Sequence, residues 1–305
     1  MAKAQAEAAP GPAATATRPV AVIGAGTMGS GIAQVFAAAG RQVYLGDQDE
    51  ASVKRGIATI QKSLDRLIKK GNLDAAARDQ VLGRIRGEAR GAAGQLAGSL
   101  RECAIAIEAV PERPDLKKAV LQELDRLLPQ DAILATNTSS ISITELAAAT
   151  KRPERVIGMH FMNPVPVMQL VEVVRGLTTS EQTVEATMEA ARTVGKTPVL
   201  VEDRPGFISN RVLMPMINEA VFALEERVAT REGIDTVMKL GMNHPIGPLA
   251  LADLIGLDVC LDILVVLHRG FGDDKYRPSP LLRAMVAAGR LGRKSGRGFY
   301  EYSDS

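Results

Sequence analysis

Histidine is scarce in this chain, with three in 305 residues. One of them, His160, ends the apolar run Val156-Ile157-Gly158-Met159-His160, and a second strand-like run, Leu170 to Val174, carries Glu172. Between the two lies the bend Asn163-Pro164-Val165-Pro166. If the runs pair antiparallel across that bend, imidazole and carboxylate come side by side. A lone histidine is more often structural. A carboxylate neighbour, however, fixes the tautomer of an imidazole and strengthens it as a base. Such a base can take the hydroxyl proton of an alcohol while hydride leaves its carbon. His244 and His268 lack a comparable partner in the sequence and read as structural.

A hydride acceptor needs its own cradle, and one is written near the N-terminus. Val20-Ala21-Val22-Ile23 leads into Gly24-Ala25-Gly26-Thr27-Met28-Gly29, and a helical stretch follows through Ile32, Val35 and Phe36. A bare G-x-G-x-x-G is weak evidence, but a strand before it, a helix after it and an acid further on make a dinucleotide fingerprint. Gly24 permits the tight turn, Gly26 lets the backbone approach a pyrophosphate, and Gly29 lets helix and strand pack closely. The backbone of Thr27 and Met28, at the helix start, offers N–H groups to the anion. Asp47, after the strand Gln42 to Leu45, can accept hydrogen bonds from ribose hydroxyls and would repel a 2′-phosphate. No arginine is expected beside Asp47; Lys54 and Arg55 come later, on a helix. NAD is therefore expected over NADP, with flavin the main competitor for the same cradle.

A third polar cluster, Asn137-Thr138-Ser139-Ser140, follows the strand-like run Ala132 to Thr136. Open α/β sheets bind ligands at the carboxyl ends of their strands. Ser140 or Ser142 could cap the helix Ile143 to Ala149 while Ser139 faces the ligand.

These residues need a sheet to position them. Strand-like runs recur at Ala104 to Ala109, Ala132 to Thr136, Val156 to His160, Leu170 to Val174 and Pro198 to Val201. Helical runs fall at Glu50 to Lys70, Asp74 to Arg84, Asp115 to Leu127 and Ser180 to Thr193. Strands alternating with helices predict an α/β fold, a mostly parallel Rossmann-type sheet covered on both faces. Gly87 to Gly98 reads as a surface connection. From Gly206 strand signals stop, and helices are expected over Ile208 to Glu225, Thr230 to Leu240, Leu257 to Arg269 and Pro280 to Ala288. The expected organisation is a disordered lead-in over 1–18, a cofactor domain over 19–203 and an all-helical domain over 204–305.

Composition closes off other classes. Thirty-seven Lys and Arg nearly balance 35 Asp and Glu, and aromatic residues make up 3%. That is not the concentrated basic, aromatic-bearing face that nucleic acid requires. No run approaches the length of a membrane-spanning helix. Cys103 and Cys260 lie in apolar runs and read as buried thiols, with neither a disulfide framework nor a zinc cluster expected. The Ala-rich lead-in lacks a secretory h-region, so a cytoplasmic location is expected.

Together with Gly24 to Gly29 and Asp47, several ordered motifs resemble the L-3-hydroxyacyl-CoA dehydrogenase family, with the nearest likeness to its bacterial 3-hydroxybutyryl-CoA members. They are Asn137 to Thr144, His160 to Met168, Pro205 to Arg211, Met238 to Gly241, His244 to Pro248 and Leu291 to Tyr300. The likeness covers about Val20 to Tyr302. It implies His160 as catalytic base, Glu172 as its partner, and Ser139 and Asn210 as hydrogen-bond donors to substrate oxygens. It implies Glu112, Lys117 and Asn137 near the nicotinamide ribose, and Ser63 and Lys70 as coenzyme A contacts. Lys54, Lys62, Arg66, Lys69 and Lys70 give that last helix a basic side, which is either solvated or receives phosphates. Met162 stands where the family usually has Phe, and Arg113 where it often has Asn.

The resemblance implies an oxidoreductase of fatty acid metabolism that interconverts (S)-3-hydroxyacyl-CoA and 3-oxoacyl-CoA with NAD. A gulonate-type sugar-acid dehydrogenase and a non-catalytic, crystallin-like NAD-binding protein are the rivals. The apolar segments Val259 to Leu267 and Val212 to Val221 further suggest a C2 homodimer.

Overall fold

A computed structural model describes residues 18–91, 96 and 98–302. Apart from Arg18, the expected lead-in lies outside the described residues. The chain divides into two compact units, Met1–Asp203 and Arg204–Ser305.

The first unit is built on eight strands: β1 Val20–Ile23, β2 Val43–Asp47, β3 Ile85–Ala89, β4 Ile105–Glu108, β5 Ile133–Thr136, β6 Val156–Phe161, β7 Leu170–Arg175 and β8 Thr197–Glu202. Its helices are α1 Thr27–Ala38, α2 Glu50–Lys69, α3 Ala75–Gly83, α4 Pro114–Leu127, α5 Ile143–Ala147 and α6 Glu181–Thr193. The sheet order is β3-β2-β1-β4-β5-β6-β7-β8. All neighbours pair parallel except β6 and β7, which are antiparallel. Every residue of β1, β4, β5 and β6 is buried. This is why these strands read as largely apolar runs: helices cover a parallel sheet on both faces. Val53, Ile60 and Leu64 form the inward stripe of α2, and Asp49 caps it by accepting the Ser52 N–H at 2.7 Å. Asp74 and Ser180 cap α3 and α6 in the same way, each cap worth about 1 kcal/mol.

The segment expected to be a surface connection from Gly87 begins instead inside β3. That strand pairs in parallel with β2, from Val43↔Ile85 to Asp47↔Ala89. It lies at the sheet edge, where only Ile85 is buried. An edge strand meets too little core to need an apolar run, so it left no hydrophobic pattern.

The second unit is helical: α7 Ser209–Glu225, α8 Arg231–Gly241, α9 Pro248–Ile255, α10 Leu257–Phe271 and α11 Pro280–Ala287. Met214, Ile217, Val221, Leu249, Leu257, Leu264, Leu267 and Leu282 form its core. Helix α9 was not expected from the sequence. Its N-cap Gly247 offers no side chain, and the Leu249 and Ala250 N–H groups bond instead to the buried Asp235 of α8 at 2.9 and 3.0 Å. Asp253 on α9 in turn accepts the Phe299 and Tyr300 N–H groups, each at 2.9 Å, and so fastens the chain's last described segment.

Candidate active site

The turn from β1 into α1 is shaped by close approach. Gly24 adopts φ +109°, and a Cβ there would press on the Ala109 carbonyl after β4. A Cβ at Gly29 would overlap the Gly24 carbonyl oxygen. At Gly26 the opposite holds: an added Cβ meets no protein atom within 4 Å. Gly26 instead borders a cavity of about 620 Å³ whose lining includes Gly24, Thr27, Met28, Asp47 and Arg113. No side chain caps α1 at Gly26, so its first turn presents backbone N–H groups without a competing acceptor there. A bare backbone corner, an uncapped helix start and an acid at the next strand end fit a dinucleotide.

Asp47 closes β2. Its carboxylate accepts the Ala25 and Gln48 N–H groups, each at 2.6 Å, which holds it against the glycine turn. The expectation that no arginine stands beside it is corrected. The Arg90 N–H, just past β3, donates to the Asp47 carbonyl at 3.1 Å, and Arg90 lines the same cavity. The cause is the unrecognised edge strand, which brings a distant residue next to the end of β2.

Beyond the cradle, a buried ion network reaches the polar cluster after β5. Lys117, 1% exposed, places Nζ 2.9 Å from Glu108 Oε1, 3.1 Å from the Val110 carbonyl and 3.3 Å from Glu112 Oε2. Burial raises the Glu108 carboxyl; Lys117 and the Thr136 hydroxyl, which donates at 2.6 Å, oppose that rise. Burial would also raise Glu112, but the Lys117 ammonium and hydrogen bonds from Thr138 and Ser139 outweigh it and hold Glu112 below its ordinary range. Glu112 Oε1 accepts from Thr138 Oγ1 at 2.7 Å, Ser139 N at 2.9 Å, Ser140 N at 3.1 Å and Ser139 Oγ at 3.1 Å. One carboxylate thus folds the whole 138–140 turn onto the start of α4. Ser142 caps α5, accepting the Glu145 N–H at 3.2 Å.

His160 and Glu172 are direct partners in the antiparallel register of β6 and β7. His160 Nδ1 lies 2.8 Å from Glu172 Oε2; the histidine is 8% exposed and the glutamate fully buried. Asn137 Oδ1 accepts the Phe161 N–H at 2.9 Å, joining the end of β5 to the end of β6 beside the imidazole. The bend after β6 contains a cis Asn163–Pro164 peptide. Buried Lys196 holds it by donating to the Val165 and Met168 carbonyls at 2.6 and 2.7 Å.

The remaining residues lie elsewhere. Ser63 is half-buried on α2 and Lys70 is exposed at its C-cap, with Lys54, Lys62, Arg66 and Lys69 exposed along the same helix. Asn210 lies in the first turn of α7, in the second unit. His268 does have a carboxylate partner, contrary to expectation: Nε2 is 3.1 Å from Asp274 Oδ1 in the turn after α10. That pair is solvent-facing, with 87% of the Asp274 side chain exposed. It therefore lacks the enclosure of the pair on β6 and β7.

Glu108, Thr138 and Arg90 were missed in the sequence. A charged residue closing the buried run Ile105-Ala106-Ile107-Glu108 was a usable signal for the first. Thr138 was seen only as part of a polar cluster. Arg90 carried no signal without the strand order.

A glycine cradle at β1, an acid ending β2 and an enclosed histidine–glutamate pair further along the sheet define a nicotinamide-dependent dehydrogenase of Rossmann type. The chain belongs to the 3-hydroxyacyl-CoA dehydrogenase family: the family's NAD binding domain matches residues 19–204 and its C-terminal domain residues 206–302. It is 54% identical over 285 residues to a probable 3-hydroxybutyryl-CoA dehydrogenase of Bacillus subtilis, covering 93% of this chain and 97% of the relative. It is 50% identical to the 3-hydroxybutyryl-CoA dehydrogenase of Bradyrhizobium diazoefficiens, covering 95% and 97%. The crystal structure of the (S)-3-hydroxybutyryl-CoA dehydrogenase from Ralstonia eutropha superposes with a TM-score of 0.90 at 52% identity, covering 94% of this chain and all of that one.

Proposed function

We propose that this chain catalyses the reversible NAD-linked oxidation of (S)-3-hydroxyacyl-CoA to 3-oxoacyl-CoA, with 3-hydroxybutyryl-CoA as its substrate. The observation that carries the chemistry is the His160–Glu172 pair, enclosed at the carboxyl end of β6. Glu172 accepts from Nδ1–H and thereby puts the imidazole lone pair on Nε2, where it can take the substrate hydroxyl proton. Bound NAD supplies the acceptor for the hydride leaving C3. Gly24, Gly26, Thr27, Met28 and Gly29 hold its pyrophosphate and Asp47 its adenosine ribose, with Lys117, Glu112 and Asn137 toward the nicotinamide end. Ser139 orients the substrate oxygen, Ser63 and Lys70 receive coenzyme A along α2, and the family resemblance makes Asn210 a further substrate-binding residue. The names of the similar proteins support the four-carbon acyl group.

The test follows nicotinamide absorbance in both directions: oxidation of NADH with acetoacetyl-CoA and longer 3-oxoacyl-CoAs, and reduction of NAD with gulonate-type acids. Turnover with acetoacetyl-CoA is expected. Activity on the sugar acid alone, or cofactor binding without any turnover, would refute the assignment.

We further infer a homodimer formed through the second unit. Val212, Val237, Leu240 and Met242 leave 63%, 59%, 82% and 61% of their surfaces exposed there, and Val237 and Leu240 lie one turn apart on α8. Sedimentation at micromolar concentration should give twice the chain mass; a monomer contradicts it. We propose a cytoplasmic location with this reading.

A further inference from the structure

The cofactor cavity has an arginine, Arg90, in its lining that the chemistry above leaves without a role. Arg90 and Asp47 stand next to each other at the carboxyl ends of parallel strands, joined by the Arg90 N–H to Asp47 carbonyl bond, and both line the cavity with Gln48 and Ser52. An arginine at that place suits a ribose 2′-phosphate, because guanidinium meets phosphate in a two-pronged geometry. Yet the unit matches an NAD-binding domain. The structure offers a reason. Arg90 Nη1 lies 2.6 Å from Glu123 Oε2 on α4, with 24% and 18% of the two side chains exposed. The other Glu123 oxygen accepts the Leu96 N–H, which keeps the carboxylate in place.

We propose that Glu123 is a cofactor-specificity residue: by pairing with Arg90, whose residue lines the cavity, it draws the guanidinium onto α4 and withholds a cation that would otherwise receive a 2′-phosphate. NADP is then refused twice, by repulsion from Asp47 and by the prior engagement of Arg90. The proposal rests on Asp47 holding the adenosine ribose. A phosphate must displace a half-buried, charge-assisted pair to reach Arg90, which sets the expected discrimination at roughly ten- to a hundredfold.

The test compares kcat/KM for NADH and NADPH, with acetoacetyl-CoA, in wild type, Asp47→Ser, Glu123→Gln and the double variant. Glutamine keeps the volume and an acceptor for Leu96 but removes the charge. Asp47→Ser is expected to lower efficiency with NADH and raise it with NADPH. Adding Glu123→Gln should multiply NADPH efficiency roughly tenfold further, and adding Arg90→Ala to the double variant should abolish that gain. Equal NADPH efficiency in the single Asp47 variant and the double, or a gain that survives Arg90→Ala, overturns the role of Glu123 while leaving the ribose site standing. An Asp47→Ser protein with undiminished NADH efficiency overturns both. If Glu123→Gln does not yield folded protein by thermal melting, Glu123→Asp, one methylene shorter, is measured by calorimetric titration with 2′,5′-ADP against 5′-AMP. The same ranking is expected, and equal preference in wild type and variant overturns the proposal.

Discussion

At position 160 the imidazole is oriented by a fully buried carboxylate, which meets Nδ1 at 2.8 Å at the strand end where open α/β sheets bind ligands. His160→Ala is expected to lower turnover by roughly 10² to 10⁴, with the Kd for NADH little changed. Near-full turnover in that variant would show that another group moves the proton. Glu172→Gln keeps the shape but can engage either tautomer, so kcat should fall while NADH affinity holds; a change in NADH affinity alone would count against it. Glu112 carries a pH dependence. Burial alone would raise it, yet Lys117 and the donors of the 138–140 turn hold it low. A folded-state value below the unfolded one means that its stabilisation is complete above the ordinary glutamate range, about 4.3, and is lost as pH falls through the folded value. Melting temperature below about pH 4.5 should therefore fall more steeply in wild type than in Glu112→Gln. Parallel curves would refute this.

Among the elements, register matters more than composition. A single-residue slip of β7 would turn Glu172 to the other face of the sheet and leave His160 opposite a valine. The pair was legible in the sequence because a short bend joins its two strands. The central strands were legible for a different reason: with both faces covered, they are apolar except near their carboxyl ends, where Glu108, Thr136 and His160 sit. Edge strand β3 has one buried residue and gave no pattern, so Arg90 beside Asp47 stayed hidden. Helix α9 escaped because Asp235, from another helix, supplies its cap. Lys117 tests the network beneath the cofactor cavity. Lys117→Met leaves Glu108 buried without its counter-ion and should cost about 3–5 kcal/mol in denaturant unfolding. Pairing it with Glu108→Gln should recover part of that loss; an additive loss would mean that the two charges stabilise the fold independently.

Across the whole molecule, each unit keeps its own core and its own enclosed thiol. Cys103 and Cys260 are fully buried, and loss of solvent pushes both up to about 12. At pH near 8 neither is expected to react with an aromatic disulfide reagent until the chain unfolds. Prompt release of a thiolate equivalent from native protein would contradict that burial. The outer surface is therefore chemically blank toward maleimides. A cysteine installed at exposed Ala58, on the basic helix α2, would be its single attachment point. A fluorophore there could report the arrival of an acyl-CoA by its change in emission, with no native sulfur to be removed first.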